Sequence, residues 1–117
     1  MKLRYAPEAV TDLQNIKRYI AATLRNPSAA SRVTKRILDQ CATLKKFPRA
    51  GASLAAMTGH ETDLRMLACE DHIALYRIDA EMVSVARIIN ARQDYMRVLF
   101  KEADLEQTER NQPGHQE

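Results

Sequence analysis

The chain has 117 residues, a formal net charge of +3, no Trp, aromatics at only 5% and two cysteines. That length holds one domain around a mainly aliphatic core, with no need of a metal or disulfide framework. No apolar run approaches the roughly 20 residues of a membrane span, the opening KLRYAPEAV has no secretory apolar region, and Cys41 and Cys69 form no C-x-x-C motif, so a reduced, cytoplasmic chain is expected.

Lys2 to Tyr5 reads as a short extended segment ended by Ala6-Pro7. Pro7 suits the first turn of a helix, where its missing N–H costs nothing. Glu8 and Asp12 near that start complement the helix dipole. Val10, Leu13, Ile16, Ile20 and Leu24 then recur at helical spacing. Asn26-Pro27-Ser28 breaks the pattern, and Asn26 or Ser28 can cap a second helix. That helix carries Ala30, Val33, Ile37, Cys41 and Leu44 on one stripe and stops at Phe47-Pro48. Two helices on a short linker make an antiparallel hairpin whose apolar stripes need a sheet to cover. The hairpin region is basic: residues 2–49 hold eleven Lys/Arg against three acids, whereas residues 101–117 hold two against five. A basic half suggests an acidic partner.

Residues 49–62 read as a loop of small residues and two glycines, with at most one helical turn at 54–57. Three strands follow, over residues 64–68, 72–78 and 82–89, joined by the short turns Glu70-Asp71 and Asp79-Ala80-Glu81. Turns this short pair neighbouring strands antiparallel. In the middle strand His72, Ala74, Tyr76 and Ile78 share one face, and Ile73, Leu75 and Arg77 the other. Both faces are apolar, so both require cover: the helical hairpin on one, a partner or a returning segment on the other. Residues 93–109 can continue as a helix before a polar tail that is expected to be disordered. The expected fold is therefore α+β: an N-terminal strand, a two-helix antiparallel hairpin, a three-stranded antiparallel meander and a short C-terminal helix. Residues 1–100 form the single domain and 101–117 a polar extension.

Nucleophilic and metal chemistry find little support. No Ser or Cys sits in a G-x-S-x-G elbow, and the three histidines, at 60, 72 and 115, are not paired at ligand spacing. A phosphate-cradling glycine loop is absent. No cofactor, metal or catalytic residue is expected. His72, beside Glu70 and Asp71, reads as a structural histidine bonding a backbone group, and Cys41 as core packing. Arg65, Arg77 and Arg87 lie mid-strand and Arg92 at the strand exit. Guanidinium groups fork onto carboxylates or phosphates, and like charges on one sheet call for anions nearby. Internal carboxylates such as Asp63, Glu70, Asp79, Glu81 and Asp94 are one source of those anions, and a partner is the other.

The order strand, helix, helix, three strands, short helix resembles the RelE/ParE superfamily of type II toxin–antitoxin toxins over residues 2–100. The resemblance rests on YAPEAVTDLQNIKRYI, LKKFPRAG, DLRML, HIALYRID and ARIINARQDYMRVL taken in order. RelE-like members cleave mRNA on the ribosome with basic residues, commonly an arginine early in the middle strand. Ile73 stands at that position here, and no general base faces Arg92, so the main accelerating terms for cleavage are missing. The H-x-x-x-Y-R strand and the FPRAG loop resemble the ParE branch, whose members poison DNA gyrase by binding. This resemblance implies a ParD-like antitoxin whose acidic, apolar C-terminal segment folds onto the toxin and covers the second sheet face. It places the target- or antitoxin-binding surface at Arg65, Ile73, Leu75, Arg77, Arg87, Arg92 and Tyr95. The alternative it leaves open is a RelE-like, ribosome-dependent mRNA endoribonuclease.

Overall fold

A computed structural model describes residues 1–59 and 61–91 of the chain. Strand β1 (Lys2–Tyr5) leads into helices α1 (Pro7–Leu24) and α2 (Pro27–Ala42) and a 3-10 turn at Thr43–Lys45. Strand β2 (Ala52–Ser53) and the one-turn helix α3 (Leu54–Thr58) precede the meander of β3 (Arg65–Cys69), β4 (His72–Asp79) and β5 (Met82–Asn90). The strands form one sheet in the order β1-β5-β4-β3-β2. β1 lies parallel to β5, with Leu3 opposite Val83, and every other pairing is antiparallel. The expected N-terminal strand, helical hairpin and meander are therefore all present. The expected helix at 93–109, the tail, His60, Arg92 and Tyr95 lie outside the described residues.

Local chemistry accounts for the hairpin. Pro7 and Pro27 each open a helix, where a missing N–H is no loss. Asn26 rather than Ser28 provides the second cap, its Oδ1 accepting the Ala29 N–H at 3.2 Å. Arg25 reverses the chain from the left-handed region, with φ 51°. Glu70 and Ala80 do the same in the two meander turns, with φ 60° and 54°.

Two apolar clusters sandwich the sheet. On the hairpin side Ala74, Tyr76, Val83, Val85 and Ile88 pack with Ala9, Ile37, Cys41 and Leu44. Burial of each large side chain there contributes about 1.5–3 kcal/mol. Tyr76 is fully enclosed, and its hydroxyl donates to the Pro48 carbonyl at 2.8 Å while accepting the Gly51 N–H at 2.9 Å. Gly51 has no room for a side chain: a Cβ would lie 2.5 Å from the Met66 carbonyl oxygen and 2.7 Å from the Tyr76 hydroxyl.

On the opposite face Ile73, Leu75 and Ile89 pack with Leu54 and Leu64. The segment expected to be a loop thus returns over the sheet. β2 pairs Ala52 with Met66 and Ser53 with Arg65, and Ser53 Oγ caps α3 by accepting the Ala56 N–H. Here the chain itself covers the face that the antitoxin was expected to cover. The helical turn allowed for at 54–57 is α3, whereas a two-residue strand is too short to leave a periodic signal, which is why β2 read as loop.

Candidate functional site

The strand arginines are built into the fold. β1 ends opposite Val85, and beyond it that edge of β5 has no further strand among the described residues. Asp12, in α1, closes the gap: its Oδ2 accepts the Ile88 N–H at 2.9 Å. The same carboxylate takes the Arg87 guanidinium in a two-point grip, at 2.8 Å from Nε and 3.1 Å from Nη2. A register shift between Leu75 and Tyr76 relative to β5 accompanies this arrangement, as a bulge re-aims a side chain. Arg77 Nε lies 3.4 Å from Asp63 Oδ1. Arg65 Nη2 donates to the Gly51 carbonyl at 2.7 Å and to the Arg49 carbonyl at 3.3 Å, clamping the loop that seats Tyr76. Ile73 and Leu75 are buried beneath Leu54 and Leu64. The structure therefore scatters these five residues over separate structural contacts and does not gather them into one exposed surface.

An open feature lies beside the Asp12–Arg87 pair. The C-terminal half of α1, the middle of α2, the β3–β4 turn and the end of β5 enclose a groove of about 620 Å³. Its apolar floor comes from Ile16, Ile20, Val33 and Ile37. Tyr19 and Leu24 stand at its lip, 68% and 62% exposed. Large apolar side chains so open to water at the rim of a concave surface are what a partner's apolar face requires. The spacing of Ile16, Tyr19, Ile20, Thr23 and Leu24 puts them on one helical stripe, and this was the available sequence signal. The apolar stripe expected to be covered by a sheet, Val10, Leu13, Ile16, Ile20 and Leu24, contains neither Tyr19 nor Thr23, and only Leu13 and Ile16 of it pack on the sheet cluster.

The other end of the groove is polar, formed by the Asp12–Arg87 pair, Asn15, His72 and Asn90. His72 is only 6% exposed. Burial lowers its pKa from the ordinary 6.5, against the opposing pull of the Asp71 charge. Its Nδ1 is buried without a hydrogen-bond partner, so at this nitrogen the backbone bond expected of a structural histidine is not made. An unpaired buried nitrogen costs about 1–3 kcal/mol and leaves a bonding position at the groove wall.

Basic side chains surround this region. Lys17, Arg18, Arg25 and Arg32 are exposed on the hairpin. Lys35 and Arg36 are exposed as well and pair with Asp39 and Glu70, pairs worth little in open solvent. Among the described residues no group of three or more His, Cys, Asp or Glu is placed to hold a metal. No described helix is long and apolar enough to cross a membrane.

Residues 3–95 match the family model described as ParE toxin of type II toxin-antitoxin system, parDE. Among the solved structures, the chain is similar to one titled chromosomal ParDE TA system from P. aeruginosa, at 22% identity and a TM-score of 0.67. That match covers 79% of this chain and 97% of the other, and at such identity it is a likeness of fold. No curated protein matches the chain.

Proposed function

The chain belongs to the ParE family of toxins from type II toxin–antitoxin systems, and from that premise we propose that it arrests growth by binding DNA gyrase and that a ParD-like antitoxin neutralises it. The observation that carries a binding mode of action is the employment of the strand arginines. Arg87 is gripped by Asp12, Arg77 pairs with Asp63, and Arg65 holds the 49–51 loop. Cleavage of RNA by a protein of this fold needs cations aimed at a phosphate beside a base for the 2′-hydroxyl. These guanidiniums are engaged by the protein's own carboxylates and carbonyls.

The antitoxin's place is the groove. A segment that folds on binding lays apolar side chains into such a trough, here between Tyr19 and Leu24, and its acidic residues meet the basic hairpin. Arg92 and Tyr95, which follow β5 in the chain, are the proposed gyrase contacts. The reading is tested by purified protein in two assays, DNA gyrase supercoiling and ribosome-dependent mRNA cleavage. Inhibition of supercoiling with intact transcripts is expected. Cleaved transcripts with unaffected gyrase would replace the reading with the endoribonuclease one.

A further inference from the structure

At the open end of the hairpin, away from the reversal at Arg25, α2 runs into the turns that carry Lys45, Lys46, Phe47, Pro48 and Arg49. Backbone bonds hold this segment. The Thr43 carbonyl accepts the Lys46 N–H at 3.1 Å and the Phe47 N–H at 2.9 Å, and the Phe47 carbonyl accepts the Ala50 N–H at 3.0 Å. Three more carbonyls are tied to the body of the protein. That of Lys45 accepts the Met1 amino group at 3.0 Å, that of Pro48 the Tyr76 hydroxyl at 2.8 Å, and that of Arg49 the Arg65 Nη2 at 3.3 Å. On this fixed frame the side chains of Lys45, Lys46, Phe47 and Arg49 all stay exposed, Phe47 at 64%.

The positive charge here is little opposed. Residues 40–60 contain no Asp or Glu. Among the described residues none of Lys45, Lys46 and Arg49 pairs with a carboxylate, whereas Lys35, Arg36, Arg77 and Arg87 all do. Lys2 and Arg4, exposed on the neighbouring β1, add two more cations. The acids of the adjoining segments are Glu8, at the start of α1, and Glu81, whose carbonyl accepts the Lys2 N–H at 2.9 Å. A single exposed Phe is ordinary on a protein surface; its company is what distinguishes this one. Cations along a strand's backbone and an aromatic ring for its bases are the two parts of a single-strand binding surface. An acidic peptide satisfies the cations alone, whereas a nucleotide brings a flat face and an anion in one repeating unit. We propose that the Lys45–Arg49 turn binds single-stranded nucleic acid, with Phe47 stacked on an unpaired base and Lys45, Lys46 and Arg49 on the adjacent phosphates. This contact binds without cutting, and it does not depend on which target the toxin arrests.

The test titrates the full chain into labelled oligothymidylate and oligouridylate strands, beside a duplex of the same length, and follows fluorescence anisotropy. Both single strands should bind more tightly than the duplex. The logarithm of affinity should fall with the logarithm of salt at a slope of about −2, as three single-strand phosphate contacts require. Equal binding of the two strands assigns the ligand to the base and phosphate they share, and a preference identifies the sugar that is read. Phe47→Ala leaves the charge unchanged and should weaken binding at least about fivefold. Lys45→Ala combined with Lys46→Ala should flatten the salt slope to about −0.7. The chain has no Trp, so the emission of Phe47→Trp reports this position alone and should be quenched by a saturating single strand. Four results would overturn the proposal: no binding at low salt, a duplex bound as tightly as a single strand, unchanged affinity in Phe47→Ala, or unquenched emission in Phe47→Trp. If Phe47→Ala fails to fold, the quenching measurement decides by itself.

Discussion

Removing the carboxylate of Asp12 separates two jobs that the structure gives it. In Asp12→Ala the Ile88 N–H loses its acceptor at 2.9 Å, and a buried donor left unpaired costs about 1–3 kcal/mol. Arg87 loses its two-point partner too, but its side chain is 33% exposed against 14% for Asp12. The pair is partly open to water, so that part is worth only about 0.5–1 kcal/mol. The total is about 1.5–4 kcal/mol. Arg87→Ala leaves the Asp12–Ile88 bond in place and should cost about 1 kcal/mol. The double variant should then be barely less stable than Asp12→Ala alone, because the ion pair is lost only once. Asp12→Asn keeps an acceptor for Ile88 and should recover most of the loss. Urea unfolding midpoints at constant slope, analysed as a double-mutant cycle, measure all four. The reasoning is refuted if Arg87→Ala costs more than Asp12→Ala. It is equally refuted if Arg87→Ala abolishes growth arrest at unchanged stability, since Arg87 would then contact a target.

Tyr76→Phe should lower stability by about 2–4 kcal/mol, leaving the Gly51 N–H and the Pro48 carbonyl unpaired; an unchanged thermal midpoint would show that these bonds contribute nothing. Tyr19→Ala combined with Leu24→Ala should leave unfolding unchanged, both side chains being exposed, and weaken antitoxin affinity at least about tenfold by titration calorimetry; unchanged affinity would place the antitoxin elsewhere. The folded-state pKa of His72 is depressed by burial, so its neutral form favours the folded protein. Stability should be full above about pH 6.5 and fall as acidification protonates the unfolded chain first. His72→Gln should remove that component of the pH–stability profile, and an identical profile would exclude His72 as its source. Arg92→Ala should weaken growth arrest without shifting the melting temperature; full arrest by the folded variant would remove Arg92 from the target surface.

Features with a strong local signature were legible in the sequence. Pro7 marks a helix start, Asn26-Pro27-Ser28 the break before the second helix and Phe47-Pro48 its end, and the alternation of His72, Ala74, Tyr76 and Ile78 groups the residues of the face that the structure turns to the helices. The site was less legible, because its parts are far apart in the chain. Asp12 was read as a dipole-favouring acid at a helix start, yet it serves Arg87 and Ile88 some 75 residues later. Nothing in sequence spacing reports such a contact. Of the carboxylates named for the arginines, Asp63 does pair with Arg77, across a hairpin short enough for the register to suggest it. The groove was hidden for a different reason. An apolar stripe on a helix looks the same whether a sheet covers it or not, and α1 packs Leu13 on the sheet cluster while leaving Tyr19 and Leu24 open.

The central claim is that this toxin acts by binding and not by cutting. It is tested most directly by adding the purified protein to a gyrase supercoiling reaction and, in parallel, to programmed ribosomes carrying a defined mRNA. The account predicts loss of supercoiling, restored by the antitoxin, with the mRNA intact. Transcripts cut on the ribosome, with supercoiling untouched at the same concentration, would contradict it.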